Sequence, residues 1–245
     1  MAASERSAGL IVIGNEILSG KVVDTNAPFL ARELRALGVE LRRIVTIPDE
    51  LDVIAAAVGE FHRAYDVVFT SGGIGPTHDD VTIAGIARGL GRAVIRHPAV
   101  ESKLREFYGQ HVNAARLKMA EVPDGAELIS DAKLGFPTIK CENLYVLPGI
   151  PQLFEQKFLG LRERFATAPY VLRVVYTRAG EGAIAEHLDA VLFAFPELLL
   201  GSYPKLGDTE YAVKLTLESK DAGYVERALA HLLALLPADS VVRTE

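Results

Sequence analysis

Short continuous apolar runs alternate with helically spaced apolar residues over the first half of the chain. Residues 10–13 and 66–70 form such runs, which predict parallel strands covered on both faces. Residues 39–47 predict a further strand between them. Leu30, Leu34 and Leu37 recur at the spacing of one helix face. This alternation of strands and helices predicts a three-layer α/β/α domain with a mostly parallel sheet.

The pattern changes after residue 168. It predicts in turn a strand, a helix, two strands, a helix and a short strand, at residues 171–176, 184–195, 198–203, 211–217, 225–236 and 241–242. This βαββαβ order is that of a small ferredoxin-like α+β unit. We therefore predict two domains, residues 1–168 and 169–245. Polar and apolar residues alternate at 211–217, which favours an edge strand that pairs with a second copy.

Composition and charge narrow the range of partners. The 245 residues include 26 basic and 32 acidic side chains, a net charge of −6, which argues against nucleic-acid binding. No apolar run approaches the roughly 18 residues that cross a bilayer, so we expect no membrane partner and a cytoplasmic location. Cys141 is the single cysteine, which excludes an internal disulfide.

Four loops follow predicted strands, at residues 14–16, 47–49, 71–80 and 148–149. Ligands of open parallel sheets bind beyond the carboxyl ends of the strands, where such loops lie. The loop at 71–80 is the most informative, because Gly72, Gly73 and Gly75 allow close approach of backbone N–H groups to a ligand. A helix start follows this loop and favours an anion. The pattern predicts a phosphate-binding loop.

Two familiar nucleotide motifs match this chain incompletely. Residues 14–22 depart from a P-loop, because five residues separate the glycines and Val22 replaces the hydroxyl residue that binds Mg²⁺. The glycines at 73–75 depart from the dinucleotide fingerprint, because His78 occupies the third glycine position. We therefore predict neither an ATPase nor an NAD-dependent dehydrogenase.

Carboxylates beside the phosphate loop point to a cation. Asp79 and Asp80 would repel phosphate unless a divalent ion lies between them, so we predict that they bind Mg²⁺ or Co²⁺, with K⁺ as a further candidate. In the alternative interpretation, Asp79 only caps a helix. Asp24 is either a turn and cap residue or a ligand to a polar ring or ribose. Asp49 is either a turn residue or an acid at a strand end.

Three stretches resemble the molybdopterin-binding (MoaB/Mog) domain family, and more narrowly the N-terminal region of CinA proteins. They are VIGNEILSG at residues 12–20, DTN at 24–26 and TSGGIGPTHDDVT at 70–82. Three others are similar to the molybdopterin-binding-like domain of FAD synthases: VPDGAELI at 122–129, GFP at 135–137 and VLPGIP at 146–151. CinA proteins have a longer loop of small residues where GFP stands here.

The resemblance implies a ligand, site residues and an assembly. The ligand would be a small nucleotide or a pterin such as molybdopterin, bound by its phosphate end, and the protein would be a homo-oligomer. Asp49 and Asp80 match positions tied to metal-assisted adenylyl chemistry, and Asp24 joins them as a catalytic candidate. The expected ligand-binding residues are Gly14, Glu16, Asn26, Thr70, Ser71, Gly72, Gly73, Gly75, Pro76, Thr77, Asp79, Pro148 and Gly149.

Three functions follow from the residues and the resemblance together. The leading prediction is a metal-dependent hydrolase that cleaves the pyrophosphate bond of ADP-ribose or FAD, which share an adenosine diphosphate. The second is molybdopterin binding or adenylyl transfer in molybdenum cofactor biosynthesis. The third is a non-catalytic module that binds a ligand in the same pocket.

Overall fold

The computed structural model describes residues 6–130, 135–207 and 210–245. The chain divides into two compact units, the first ending at Thr167 and the second running from Ala168 to Glu245. The boundary predicted from the sequence lies one residue further along the chain.

The first unit is built around a six-stranded sheet. Its strands are β1 (Ser7–Ile13), β2 (Glu40–Ile47), β3 (Val67–Ser71), β6 (Glu127–Ile129), β7 (Thr138–Cys141) and β8 (Leu144–Leu147), and a separate pair is formed by β4 (Val94–Arg96) and β5 (Glu121–Pro123). The helices are α1 (Asn15–Leu18), α2 (Asn26–Ala36), α3 (Leu51–Ala64), α4 (Thr82–Gly89), α5 (Pro98–Tyr108), α6 (Ala114–Lys118) and α7 (Pro151–Leu161). The sheet order is β2-β1-β3-β8-β7-β6. Strands β2, β1, β3 and β8 pair in parallel, and only β7 runs in the opposite direction, antiparallel to both β8 and β6, which confirms the mostly parallel sheet.

Both faces of the sheet are covered by helices. On one face Leu10 of β1 joins a buried cluster with Leu30 of α2 and Phe154 of α7. On the other face Ile11 joins a cluster with Ile54 of α3. Successive residues of a strand point to opposite faces, so burial on both sides requires the continuous apolar run seen in the sequence.

Helix α2 ends in a glycine-dependent turn that returns the chain to the sheet. Gly38 has φ +74°, in the left-handed region that favours glycine. Its N–H donates to the Arg35 carbonyl at 3.0 Å, and the Val39 N–H donates to the Leu34 carbonyl at 2.9 Å. This Schellman pattern satisfies two carbonyls at the end of the helix and leads into β2.

The strand order creates a crevice at the carboxyl end of the sheet. From β1 the chain passes through α2 to β2 on one side of β1, and then through α3 to β3 on its other side. Neighbouring connections therefore leave β1 and β3 on opposite faces of the sheet. In open α/β sheets this reversal is where ligands bind.

The second unit confirms the predicted βαββαβ order. It consists of β9 (Val171–Thr177), α8 (Glu181–Ala194), β10 (Leu199–Pro204), β11 (Val213–Ser219), α9 (Ala222–Leu235) and β12 (Val241–Thr244). The antiparallel sheet has the order β10-β11-β9-β12. Its core joins Leu215 of β11 to Ile184 of α8 and Leu232 of α9.

The prediction of an edge strand at residues 211–217 is wrong. That segment forms most of β11, which lies between β10 and β9. Its alternation arises because Val213, Leu215 and Leu217 pack into the helix-covered core while the residues between them point to the other face. Among the described residues, no helix is both long enough and apolar enough to cross a membrane.

Candidate functional site

The loops after β1 and β2 are joined by backbone hydrogen bonds. The Gly14 N–H donates to the Ile47 carbonyl at 3.1 Å. One residue further on, the Asn15 N–H donates to Asp49 Oδ2 at 2.8 Å. Asp49 is therefore fixed against the loop after β1, as an acid at a strand end. Its second oxygen, Oδ1, accepts no hydrogen bond in the described part of the chain.

The loop after β3 approaches β1 more closely than any side chain would permit. Gly72 has φ +126°, and a Cβ placed on it would stand 2.0 Å from the Ile13 carbonyl oxygen. A Cβ on Gly149, in the loop after β8, would stand 3.3 Å from the Gly72 Cα. The glycines predicted for ligand binding therefore pack three loops together at the carboxyl edge.

Gly73 brings the glycine loop, residues 71–80, next to the carboxylate of Asp49. Its φ is +47°, and a Cβ there would stand 2.4 Å from Thr82 Oγ1 and 3.5 Å from Asp49 Oδ1. The Gly73 carbonyl accepts the Thr82 N–H at 3.3 Å. The loop is thus tied to the first residue of α4, with the unbonded oxygen of Asp49 beside it.

The buried side chain of Asn26 hydrogen-bonds to the ends of two strands below the loops. Its side chain is 4% exposed, and Nδ2 donates to Ser71 Oγ and to the Gly149 carbonyl, both at 2.9 Å. Asn26 Oδ1 is buried and has no partner among the described residues. An amide at this position therefore links the ends of β3 and β8, and retains one buried acceptor.

Asp24 performs the capping role that the sequence left open. Its Oδ1 accepts the backbone N–H of Asn26 at 2.9 Å and that of Ala27 at 3.2 Å, at the start of α2. These are N–H groups that a helix cannot satisfy internally. The catalytic role predicted for Asp24 stays a prediction, and the capping bonds leave its Oδ2 unused.

A pocket of about 60 Å³ opens beside Asp24 and Asn26. Its lining contains two carboxylates and no basic side chain, and consists of Val12, Ile13, Glu16, Ile17, Val22, Val23, Asp24, Thr25, Asn26, Ser71, Gly149 and Pro151. Carboxylates repel phosphate, whereas apolar walls and hydrogen-bond acceptors suit an uncharged ring or sugar. This lining is therefore unsuited to phosphate groups.

Asp80 closes the glycine loop on itself. Its Oδ1 accepts the Gly75 N–H at 2.7 Å, and its Oδ2 accepts the Thr77 N–H at 2.8 Å together with the Thr77 hydroxyl. Helix α4 consequently begins at Thr82, two residues beyond Asp80, and Val81 precedes it without a side-chain cap. Asp79 lies outside the capping position of that helix.

The N–H groups available to an anion differ from those predicted. We expected donors from Gly72 to Gly75, but the Gly72 N–H donates to the Leu147 carbonyl at 3.4 Å and the Gly75 N–H to Asp80. The N–H groups of Gly73, Ile74 and His78 have no acceptor within the described ranges. These three groups are therefore among the backbone donors of the loop that can meet an anion.

Lys118 was missed by the sequence reasoning. From the end of α6, its Nζ donates to the Thr77 carbonyl at 2.8 Å and to the Asp80 carbonyl at 2.9 Å. Lys118 follows Thr77 by 41 residues, and no motif spacing connects the two. Only the fold brings this cation to the loop.

Asp79 is the exposed carboxylate of the loop, with 61% of its side chain exposed. Hydrogen bonding at its carboxylate, together with the charges of His78 and Lys118, holds the pKa of Asp79 below its usual value. Its carboxylate is therefore ionised at neutral pH.

The described carboxylates of the loop do not form a complete metal site on their own. Across the parts of the chain that the structure describes, no group of three or more His, Cys, Asp or Glu side chains could hold a metal ion. Magnesium commonly binds one or two carboxylates together with substrate phosphates. Asp79 and the lone pair left on Asp80 Oδ1 are the carboxylate acceptors of the loop that such a cation would use.

The remaining predicted residues lie around these loops. Thr70 and Pro148 are buried, Thr70 within β3 and Pro148 directly after β8. Pro76 is exposed on the loop. Glu16 is exposed in α1, and its Oε1 lies 2.6 Å from the position of a Cβ on Gly14.

Comparison with known proteins follows the same division of the chain. A family model described as a probable molybdopterin binding domain matches residues 9–165, which is more than half of the chain. The chain belongs to the molybdopterin-binding domain family. A second family model, described as the FAD synthase middle domain, matches residues 169–245 of the same chain. The resemblance seen in the sequence is thereby confirmed.

Relatives of this family member extend the comparison. A protein of Archaeoglobus fulgidus is 35% identical over 227 residues, covering 93% of this chain and 96% of that protein. A "Probable FAD synthase" of Caenorhabditis elegans is 31% identical and covers 94% of this chain, which spans only 50% of that relative's length. The crystal structure of CinA from Thermoplasma acidophilum, a protein of unknown function, is 31% identical with a TM-score of 0.61. That match covers 66% of this chain and 100% of that structure.

Proposed function

We propose that this protein hydrolyses the pyrophosphate bond of adenosine diphosphate conjugates of the ADP-ribose or FAD type. The observation that carries the proposal is the position of the Asp49 carboxylate beside Gly73. Unpaired N–H groups of Gly73 and Ile74 lie on a closed glycine loop, and the unbonded Asp49 Oδ1 lies beside Gly73. An anion site next to a carboxylate base supplies two of the groups that hydrolysis of a phosphoanhydride uses.

The substrate would be divided between the loop and the pocket. Backbone N–H groups of Gly73, Ile74 and His78 would bind the phosphates, as they do at other anion-binding loops. The uncharged end would enter the pocket between Asn26 and Val23, where Glu16 and Asp24 accept hydrogen bonds from hydroxyl or amino groups. The acidic lining keeps the phosphates out of this pocket and so sets the direction of binding.

The reaction is the attack of one water molecule on one phosphorus atom. The water oxygen forms a new P–O bond, and the bridging oxygen leaves with its electron pair as the second phosphate. Asp49 Oδ1 accepts the proton that the water loses, while the Asn15 N–H holds the other oxygen of the carboxylate at 2.8 Å. The products are AMP and the phosphate ester of the other half.

A divalent cation, Mg²⁺ or Co²⁺, would be held by Asp79 and by the lone pair left on Asp80 Oδ1, with K⁺ as the monovalent alternative. A carboxylate offers about four lone pairs, and the loop uses three of those on Asp80. When bound, such an ion neutralises the charge that develops on the phosphates.

The proposal is tested by incubating the protein with FAD, ADP-ribose, NAD and CoA, each with Mg²⁺, Mn²⁺, Co²⁺ or K⁺ and with a chelator control. We expect AMP from ADP-ribose or FAD. Asp49→Asn should reduce the rate by about 100-fold or more. Asp52→Asn is the matched control, because Asp52 pairs with Arg88 at 2.5 Å outside the loop. No AMP from any substrate, or an unchanged rate in Asp49→Asn, contradicts the proposal.

A second candidate is molybdopterin binding or adenylyl transfer, which the family match over residues 9–165 favours. An acceptor-lined pocket also suits the amino group of a pterin. Fluorescence and mass analysis of the denatured protein would reveal a co-purified pterin. A pterin, combined with no release of AMP from the dinucleotides, would replace the hydrolase by this candidate.

A further inference from the structure

The glycine loop is held from two sides at Thr77. On one side Asp80 accepts the N–H and the hydroxyl of Thr77. On the other side Lys118 Nζ donates to the Thr77 carbonyl at 2.8 Å and to the Asp80 carbonyl at 2.9 Å. Thr77 is thus bound by the Asp80 carboxylate within the loop and by the Lys118 ammonium group at the end of α6.

This double attachment fixes the direction of the next N–H group. In a trans peptide the carbonyl oxygen and the N–H of the following residue point in opposite directions. Holding the Thr77 carbonyl against Lys118 therefore turns the His78 N–H away from Lys118. That N–H has no acceptor in the described ranges. A bound anion can satisfy it without rearrangement of the loop.

Lys118 forms no direct salt bridge in the described part of the chain, although its charge acts on the Asp79 carboxylate. Among the described residues, no carboxylate lies within 4.0 Å of its Nζ as a salt-bridge partner. Lys118 itself is half-buried at the end of α6, where Leu117 is buried and Asn113 Oδ1 caps the helix by accepting the Arg116 N–H at 2.9 Å. The cation is thus supported by a capped helix and held on neutral carbonyls close to the loop.

We propose that Lys118 is the positioning residue of the phosphate loop, which orients the His78 N–H toward a bound pyrophosphate group and offsets part of the negative charge of the loop carboxylates. The assignment rests on the proposed function of the loop. It explains how an acidic protein that carries Asp49, Asp79 and Asp80 around the loop can attract a polyphosphate.

Binding and turnover are measured separately for the wild type, Lys118→Met, Lys118→Arg and Lys103→Met. The probe for binding is inorganic pyrophosphate, followed by calorimetry. Lys103 is the matched control, because its Nζ donates to the Gly135 carbonyl at 3.3 Å and the substitution removes the same charge. Lys118→Met should weaken pyrophosphate binding by about tenfold or more, and Lys118→Arg should recover part of that loss.

Steady-state kinetics then separates a positioning role from a structural one. In Lys118→Met, KM for the dinucleotide should rise by about tenfold while kcat changes less. Pyrophosphate affinity equal to that of Lys103→Met, or an equal loss in Lys118→Arg and Lys118→Met, overturns the assignment. Pyrophosphate binding without dinucleotide hydrolysis overturns the proposed function alone. In that case the pyrophosphate affinities of the Lys118 variants still test whether Lys118 positions the loop. A wild type that binds no pyrophosphate overturns both.

Discussion

Gly72 lies against Ile13 so closely that a Cβ on Gly72 would stand 2.0 Å from the Ile13 carbonyl oxygen. This contact joins the loop after β3 to the end of β1. It also sets the position of Gly73 and, through it, the distance of the loop from Asp49. The proposed phosphate site therefore depends on the absence of a side chain at Gly72.

Gly72→Ala should destabilise the protein by about 3 kcal/mol or more, because it adds a clash with backbone to strain at φ +126°. Gly91→Ala is the control for strain alone. Gly91 has φ +65°, and its Cβ would meet nothing within 4 Å, so about 1 kcal/mol is expected. Urea unfolding of both variants gives the comparison. Equal losses of unfolding free energy would show that the contact with Ile13 is not what requires glycine.

Asp80→Asn and Asp79→Asn should separate loop closure from ion binding. Asp80→Asn replaces a carboxylate that accepts three hydrogen bonds, so exchange of the Gly75 and Thr77 amide hydrogens should accelerate. Asp79→Asn should leave that exchange unchanged and raise the concentration of divalent ion needed for half-maximal AMP release. Hydrogen exchange and a metal titration measure the two effects. Equal exchange rates in both variants would show that the Asp80 carboxylate does not hold the loop closed.

Asn26→Asp should destabilise the protein at neutral pH by about 3 kcal/mol. The substitution places a buried carboxylate against the Gly149 carbonyl, where Nδ2 now donates at 2.9 Å. Burial raises the pKa of such a carboxyl, and the protonated form can donate again. The loss relative to the wild type should therefore shrink as the pH falls, which thermal unfolding at several pH values measures. A pH-independent loss would show that lost packing, and not lost donation, is responsible.

Lys157 of α7 makes stability depend on pH in the alkaline range. Its Nζ donates to the carbonyls of Phe136 and Pro137 at 2.9 and 3.2 Å, and burial lowers the pKa of Lys157 from 10.5 to about 8. Between these values the unfolded chain binds the proton and the folded chain does not, so folding is favoured progressively as the pH rises. The unfolding free energy of the wild type minus that of Lys157→Met should increase from pH 8 to pH 10. A flat or falling difference would contradict this.

Much of the fold could be predicted from hydrophobic pattern alone. The continuous runs became β1 and β3, and the βαββαβ order of the second unit emerged from helical and alternating spacing. Strand β4 was missed because its three residues are exposed and carry no burial pattern. Strand β7 was missed because it is four residues long and includes Lys140. The edge assignment at β11 failed because alternation reports which face is buried and not which strands lie alongside.

The sequence predicted which loops form the candidate site, but it did not predict the hydrogen bonds between them. Glycines after a buried strand mark a loop that approaches a ligand, and Gly72 and Gly73 lie there. The division of hydrogen bonds was not predictable, because it depends on which N–H groups Asp80 and Leu147 use. Lys118 was not predictable because tertiary packing alone brings α6 to the loop.

The central claim is that a water molecule cleaves a pyrophosphate bond at this loop, and isotope labelling tests it most directly. ADP-ribose and FAD are each turned over in water enriched in ¹⁸O with the preferred divalent ion, and the products are weighed by mass spectrometry. We expect AMP and the partner phosphate ester, with a single ¹⁸O atom in only one of the two. Release of AMP with no ¹⁸O in either product, or no AMP at all, would contradict the account.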